Sequence, residues 1–280
     1  TFNGRQSVMQ PALGQGEQRR LTELEFAALQ DIGWEVSGYA TPFVGVPGQP
    51  PSAPNVPPPP AAALSETSFT VGSPDGVTAY TATGQKITTL RPVDPGAGAT
   101  RVATADVNGD GVLDLVTGSG PGQRNRIVIL DGVTGKPVSS FSPFEETFTG
   151  GVNVTAADLD GDGLAEVIVT PDEGGGAVVA IYEGASLAAG GTMQMARLLG
   201  IDDATFRGGA RAAVGDVTGD GINDLVVSAG FGGGPRVSVW DGAALRAGQM
   251  VRVADFFAFE SSLRNGAYVS AADLDGDGFD

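Results

Sequence analysis

The sequence contains four copies of one acidic loop, which begin 52, 58 and 57 residues apart. The copies start at Asp106, Asp158, Asp216 and Asp273, and the first three read DVNGDGVLD, DLDGDGLAE and DVTGDGIND. The fourth, DLDGDGFD at 273–280, reaches only the eighth position. Repeats of this length are typical of propellers and arrays, in which each unit buries its apolar surface against a neighbour. The spacing therefore predicts a repeat protein.

Each unit between two loops contains four short runs typical of β-strands. In the first complete unit they are LDLVTG, RIVILDG, PVSSFSPF and GVNVTAAD, and a glycine-rich turn, GSGPGQRN, follows the first run. Four short strands joined by turns are the pattern of one propeller blade. Residues 66–97 align with the strands of the next unit but have no acidic loop before them. We therefore predict a mainly β fold over residues 66–280, a partial β-propeller of four-stranded blades with about four units, truncated at its C-terminus.

Two further regions precede the repeats. Residues 39–65 contain GVPGQPPSAPNVPPPPAAA, and proline at this density favours an extended, semi-rigid linker. A proline-rich ligand for a partner domain is the alternative interpretation. Within residues 1–38, the segment LTELEFAALQDIGW predicts a helix over about 22–32, because Thr22 and Glu25 form a capping box and Gly33 suits the helix C-terminus.

Composition excludes several classes of function. The chain has 16 basic and 33 acidic residues and a net charge of −17, which argues against a nucleic-acid partner because basic surfaces supply that affinity. No apolar run reaches the roughly 18 residues of a membrane span, so we predict no membrane insertion in this segment. The chain has neither His nor Cys, and no imidazole or thiolate is available for zinc binding or acid–base catalysis. We predict no catalytic site in this segment.

The loops have the oxygen pattern of a calcium site. Oxygen-bearing side chains stand at positions 1, 3, 5 and 9, glycine at 6 and an apolar residue at 7, whose carbonyl would be a ligand while its side chain faces the core. Calcium takes six to eight oxygens, whereas magnesium demands stricter octahedral geometry. An EF-hand is excluded, because Thr117, Val169 and Val227 stand where that loop needs glutamate. A solvated acidic turn is the alternative.

The predicted ligands follow this pattern in all four loops. They are Asp106, Asn108, Asp110, Val112 and Asp114; Asp158, Asp160, Asp162, Leu164 and Glu166; Asp216, Thr218, Asp220, Ile222 and Asp224; and Asp273, Asp275, Asp277 and Phe279. The first loop fits throughout. Glutamate at position 9 of the second loop and threonine at position 3 of the third predict altered or weaker sites there.

Together with the turn and strand GFGGGPRVSVWDG at 230–242, these loops resemble the FG-GAP or VCBS-type repeats of integrin-α-like β-propellers. The resemblance covers residues 66–280. It implies structural Ca²⁺ in several blades, an extracellular or cell-surface location, and about seven blades in complete members. The rest of the propeller would then be missing from this chain.

The N-terminal region resembles a second family. The segment SVMQP at 7–11, followed by the helix ending in ALQDIGW, is similar to the end of a metzincin-like secreted zinc metalloprotease domain, with a Met-turn at Met9. This implies Zn²⁺ only in a missing upstream domain, which would carry the HExxHxxGxxH helix. A plain amphipathic helix is the alternative.

The sequence thus predicts a calcium-binding extracellular β-propeller module, secreted and of bacterial type. We expect it to serve adhesion or the binding of a protein or glycan partner or a substrate, and to be attached to a catalytic domain. One alternative is a fragment of a secreted zinc metalloendopeptidase. The other is a module that binds cell walls or polysaccharides.

Overall fold

A computed structural model of the chain describes residues 68–73, 76–90 and 101–280. The predicted Met-turn at Met9, the helix at 22–32 and the linker at 39–65 lie outside these residues. The described residues form fifteen β-strands and two short α-helices, and the strands pair in four antiparallel sheets.

The sheets follow one another along the chain, and within each sheet neighbouring strands are neighbours in sequence. The first sheet contains β1 (Ser68–Ser73), β2 (Gly76–Thr81) and β3 (Lys86–Leu90). The second contains β4 (Arg101–Ala105), β5 (Asp114–Gly118), β6 (Ile127–Leu130) and β7 (Pro137–Phe141). The third contains β8 (Val152–Ala157), β9 (Glu166–Pro171), β10 (Val178–Tyr182) and β11 (Gln194–Leu199), with α1 (Gly184–Ala188) before β11. The fourth contains β12 (Ala210–Gly215), β13 (Asp224–Ala229), β14 (Arg236–Trp240) and β15 (Arg252–Phe257), with α2 (Gly242–Arg246) before β15.

The first strands of successive sheets lie side by side. Strand β1 contacts β4, β4 contacts β8, and β8 contacts β12. Sheets that meet along their first strands and pack face to face are the blades of a propeller. The predicted mainly β fold, a partial propeller with about four blades, is confirmed.

The boundary between blades differs from the one that the sequence repeat predicts. The repeat predicts that the run GVNVTAAD is the fourth strand of the unit before the second loop. In the structure it forms β8, the first strand of the third sheet, and pairs with β9 from Val152↔Pro171 to Ala157↔Glu166. The acidic loop closes an antiparallel hairpin between β8 and β9, and this pairing joins both strands to one sheet. Each loop therefore lies within a blade, and each loop-to-loop repeat contributes to two blades.

The core lies between neighbouring sheets. Strand β9 is buried along its whole length, and its side chains alternate between two interfaces as the pleat requires. Val167 and Val169 pack against residues of the second sheet, including Ile129. Ile168 packs on the other side against residues of the fourth sheet, including Leu225. The middle strands thus hold adjacent blades together and fix the strand ends that carry the loops.

Candidate cation-binding loops

The first three acidic loops lie at the same end of their sheets. The first three connect β4 to β5, β8 to β9, and β12 to β13. The fourth, at 273–280, packs against the third, since the amide of Asp216 donates to Oδ2 of Asp280 at 2.6 Å.

Position 1 organises the winding of each loop. In the second loop the amides of Gly161 and Gly163 donate to the two carboxylate oxygens of Asp158 at 2.6 and 3.0 Å. Both glycines have positive φ, 76° and 86°, a conformation that side chains other than glycine rarely adopt. The same two contacts recur at Asp106, Asp216 and Asp273. The tight turn predicted at position 6 is present in all four loops.

In the first and second loops, the side chains at positions 3 and 5 each accept the backbone amide two residues further along the loop. In the second loop Asp160 Oδ1 accepts the amide of Asp162 at 3.1 Å, and Asp162 Oδ1 accepts the amide of Leu164 at 2.8 Å. In the third loop Thr218 stands at position 3, and the amide of Asp220 donates to Asp216 Oδ1 at 3.1 Å instead. The third loop is therefore organised differently at the position where the sequence departs from the pattern.

Position 9 is the most buried of the predicted ligands. Asp114, Glu166 and Asp224 have no exposed surface. The carboxylate of Asp224 accepts the amides of Thr218 and Gly242 at 2.9 and 2.8 Å. Each of the other two carboxylates likewise accepts an amide of its own loop, here from position 2, and the glycine amide that follows the third strand. Position 9 thus ties its loop to the connection that follows the third strand of the same sheet.

The glycines in these connections are functional residues that the sequence analysis missed. A Cβ at Gly242 would lie 1.9 Å from the carbonyl oxygen of Asn223, and one at Gly132 would lie 2.0 Å from that of Leu113. Only glycine allows the backbone to approach position 8 so closely. The signal was present in the recurring ends of the third strands, ILDG, IYEG and VWDG.

Burial changes the acidity of Glu166 and Asp114 at position 9. It raises the pKa of Glu166, while the amides of Leu159 and Gly184 oppose the rise and the charges of Asp160 and Asp158 add to it. Burial likewise raises the pKa of Asp114. In the fourth loop the amides of Gly278 and Gly276 lower the pKa of Asp273, which is exposed. A bound cation would favour the charged forms of Glu166 and Asp114, which burial disfavours.

The structure brings part of the predicted ligand set together. One oxygen from each of Asp158, Asp160 and Glu166 lies within 4.8 Å of the others, and the same holds for Asp273, Asp275 and Asp277. Oxygens bound to one calcium at about 2.3–2.6 Å lie no more than about 5 Å apart. The donor sets of the second and fourth loops therefore fit a hard divalent cation.

The first and third loops are less convergent. Within the described part of the chain, no three acidic groups of either loop approach so closely. In the first loop the side-chain amide of Asn108 donates to Asp114 Oδ1 at 3.2 Å. Position 3 thus presents a hydrogen-bond donor to position 9 in the first loop, whereas Asp160 supplies a carboxylate at position 3 of the second loop.

The sequence predicts that the side chains at position 7 face the core, but the structure shows that they do not. Val112, Leu164 and Ile222 are half-buried, and Phe279 is exposed. In the first and second loops, position 2 supplies core residues instead, namely Val107 and Leu159. A Cβ at Gly109 would lie 2.6 Å from Leu164 Cδ2, and one at Gly219 would meet the Phe279 ring. These two position 7 side chains therefore pack on position 4 of the preceding loop.

The other end of the third sheet carries a cleft of about 310 Å³. Its lining includes Phe144, Phe148, Arg197 and Arg207. The Arg197 guanidinium lies 5.7 Å from the centre of the Phe144 ring, and the Phe148 ring meets Phe144 edge-on at 5.8 Å. The cleft and the acidic loops are on opposite sides of the blades, because alternate turns of an antiparallel sheet lie at opposite ends.

Comparison with known proteins supports the resemblance to FG-GAP repeats. Residues 106–169 match the family model described as FG-GAP-like repeat, a segment that runs from the first loop through the second. The chain is 29% identical over 160 residues to integrin alpha-V of Gallus gallus, in an alignment that covers 51% of this chain and 15% of integrin alpha-V. The chain thus spans a small part of the length of this relative.

Solved structures are similar at lower identity. Rhamnogalacturonan lyase YesW gives a TM-score of 0.45 at 16% identity, covering 75% of this chain and 47% of the lyase. The Dos1 propeller gives 0.42 at 14% identity, covering 69% and 41%.

Neither of the two helices in the described ranges has the length or apolar character needed to cross a bilayer.

Proposed function

We propose that residues 66–280 form a calcium-binding extracellular β-propeller module that serves adhesion or the binding of a partner or substrate. Side-chain oxygens at positions 1, 3, 5 and 9 and the carbonyl at position 7 would hold Ca²⁺. Bound Ca²⁺ would neutralise the clustered carboxylates and fix the hairpin between the first two strands of a blade. Its role is structural.

One observation carries the proposal: the carboxylates of Asp158, Asp160 and Glu166 converge within 4.8 Å. Like charges at this separation repel one another, and repulsion is strongest where burial reduces screening by water. Glu166 has no exposed surface. A cation with oxygen ligands removes this repulsion, and the convergence recurs in the fourth loop.

Thermal unfolding of the full chain with millimolar calcium, and then with a chelator, tests the proposal. A ligand that binds only the folded state at 100 times its Kd adds about 2.7 kcal/mol of stability. For a domain of this size we expect a rise in Tm of roughly 5–10 °C. Millimolar magnesium should give a much smaller rise. An unchanged Tm with calcium would refute the proposal.

A pair of matched variants separates loop binding from a general effect of charge. Asp160→Ala removes a ligand of the second loop and should reduce the calcium-dependent rise in Tm. Asp202→Ala removes the same charge from an exposed side chain outside the loops and should leave the rise unchanged. Equal effects of the two substitutions would show that calcium acts on the net charge of −17 and not at the loop.

Polysaccharide binding is a second candidate, and the cleft beside Phe144 supports it. Aromatic faces pack against sugar rings, and Arg197 lies at the rim as a hydrogen-bond donor. A glycan-binding screen tests it, followed by Phe148→Ala and the control Phe231→Ala, an exposed ring on the turn between β13 and β14. Loss of a hit only in Phe148→Ala would support the cleft, and a screen without hits would refute this candidate.

The N-terminal resemblance adds a proposal about the parent protein. We infer that the module is attached to a secreted zinc metalloprotease domain, with Zn²⁺ in that domain alone. The genomic sequence upstream of Thr1 tests this: an HExxH motif would support the inference, and its absence would refute it. Cell fractionation tests the proposed extracellular location.

A further inference from the structure

We propose that Asn223, which belongs to the third loop, is a positioning residue for the cation site of the second loop. The inference rests on the proposed calcium binding and extends it from single loops to pairs of neighbouring loops.

Successive loops are linked by one recurring hydrogen bond. Position 8 of each loop donates to the carbonyl oxygen of position 1 in the preceding loop. The amide of Ala165 donates to Asp106 O at 2.8 Å, and the amide of Asp280 donates to Asp216 O at 2.9 Å. Between the second and third loops the donor is a side chain, Nδ2 of Asn223, which lies 2.9 Å from Asp158 O.

Because the middle link uses a side-chain donor, it depends on which residue stands at position 8 of the third loop. A backbone amide is supplied by any residue except proline, so the substitution of Ala165 would leave its link in place. Asn223 loses its link when the side chain is truncated. Among the three links of the described loops, this one can be removed without altering the backbone.

The acceptor of the link is the residue that organises the second loop. The carboxylate of Asp158 binds the amides of Gly161 and Gly163, and one of its oxygens belongs to the convergent set with Asp160 and Glu166. Holding the carbonyl of Asp158 fixes the backbone from which this carboxylate projects. Coordination geometry is sensitive to such support around the direct ligands.

Asn223 is itself held firmly by the fourth blade. It is half-buried, its carbonyl lies against Gly242, and the next residue, Asp224, accepts the Gly242 amide at 2.8 Å. The position of the donor is therefore set by the third loop and its anchor. The second site is completed from the neighbouring blade.

Calorimetric calcium titration of Asn223→Ala tests the proposal on the full chain. Loss of one hydrogen bond of this kind weakens binding by about three- to tenfold, and we expect that increase in Kd at the second site. Asn223→Ser, which retains a shorter donor, should give a smaller increase. Asp158→Asn identifies the second site, and in that background Asn223→Ala should have no further effect on calcium binding.

Asn153 provides the matched control. Its Nδ2 donates to Ala210 O at 3.1 Å, so it also links the third sheet to the fourth by a side-chain amide, but at the end of β8 remote from the loops. Asn153→Ala should lower Tm without changing the calcium Kd.

The outcomes separate the two proposals. No calcium binding by the unmodified chain would refute both. Binding that is unchanged in Asn223→Ala would refute the positioning role and leave the calcium site standing. An equal loss in Asn153→Ala, or a further loss in the Asp158→Asn background, would show that the effect is general destabilisation.

Discussion

The amide of Gly184 donates a hydrogen bond of 3.1 Å to Oε1 of Glu166. This bond joins the end of the second loop to the connection after β10, two segments 18 residues apart. Asp114 and Asp224 make the equivalent bonds at 2.9 and 2.8 Å. Glutamate is one methylene longer than aspartate, yet it keeps this glycine partner. The ninth position therefore has a structural role even without a cation.

Glu166→Ala should destabilise the calcium-free protein. It leaves the buried amides of Leu159 and Gly184 without acceptors, and each unsatisfied buried donor costs about 1–3 kcal/mol. We expect a loss of at least about 2 kcal/mol in urea unfolding with chelator present. Glu173→Ala, on an exposed turn of the same sheet, should change stability little. A small effect of Glu166→Ala would show that water replaces the carboxylate.

Gly242→Ala should destabilise the fourth blade. The added Cβ would lie 1.9 Å from Asn223 O, and a backbone atom cannot move aside as a flexible side chain does. A loss of about 2–3 kcal/mol is expected in denaturant unfolding. At Gly176 the nearest atom to an added Cβ is Val178 Cγ2 at 3.7 Å, so Gly176→Ala is the control. Equal losses would contradict the close approach at Gly242.

Thr218→Asp should strengthen the third loop as a cation site. It restores a carboxylate at position 3, as in the second and fourth loops, and we expect calcium to bind about tenfold more tightly at this loop, because affinity depends on the number of charged ligands. Calorimetric titration measures the change. Thr147→Asp adds the same charge at the other end of the sheets and should have no such effect. Unchanged affinity would show that the backbone of the third loop cannot converge.

Acid should remove the stabilisation that Asp255 provides. Oδ1 and Oδ2 accept two 2.7 Å bonds from Arg236, which lower the pKa of Asp255, and Arg252 lies 2.9 Å away. Because the folded pKa is below the unfolded value of about 3.9, the contribution is present above about pH 4. It is lost as the pH falls through the folded pKa.

We therefore expect Asp255→Asn to cost about 1 kcal/mol at pH 7, near the upper end for an exposed pair, and almost nothing at pH 2. Urea unfolding at both values measures this. Asp202→Asn is the control, since its contact with Arg252 is 3.8 Å long. An equal cost of Asp255→Asn at both pH values would exclude the ion pair as its cause.

The sequence predicts the fold well because the repeat determines it. A unit that cannot bury both faces alone must stack on its neighbours, and the loop spacing alone indicates blades. The blade boundary was wrong by one strand, since a repeat shows the period but not where the unit begins. The strand pairing in the structure, which includes Ala157 with Glu166, is needed to assign β8 to its sheet.

The site was predictable in its local part. Glycine at position 6 and the side-chain oxygens are properties of one segment, and the winding around Asp158 follows from them. The partners of position 9 were not predictable from the loop, because Gly184 and Gly242 lie 18 residues further on. The contact of Asn223 with Asp158 spans 65 residues and exists only once two blades are packed.

The offset between repeat and blade has a consequence for how such a chain can lengthen. A segment cut from one acidic loop to the next ends with the first strand of the following sheet. In an inserted second copy, strands two to four would pair with the first strand before them, and the copy's own first strand would pair with the sheet that follows. The hydrogen bonds between successive loops would form again on both sides of the insertion. Duplication of the genetic unit thus adds a blade in which all four strands have partners.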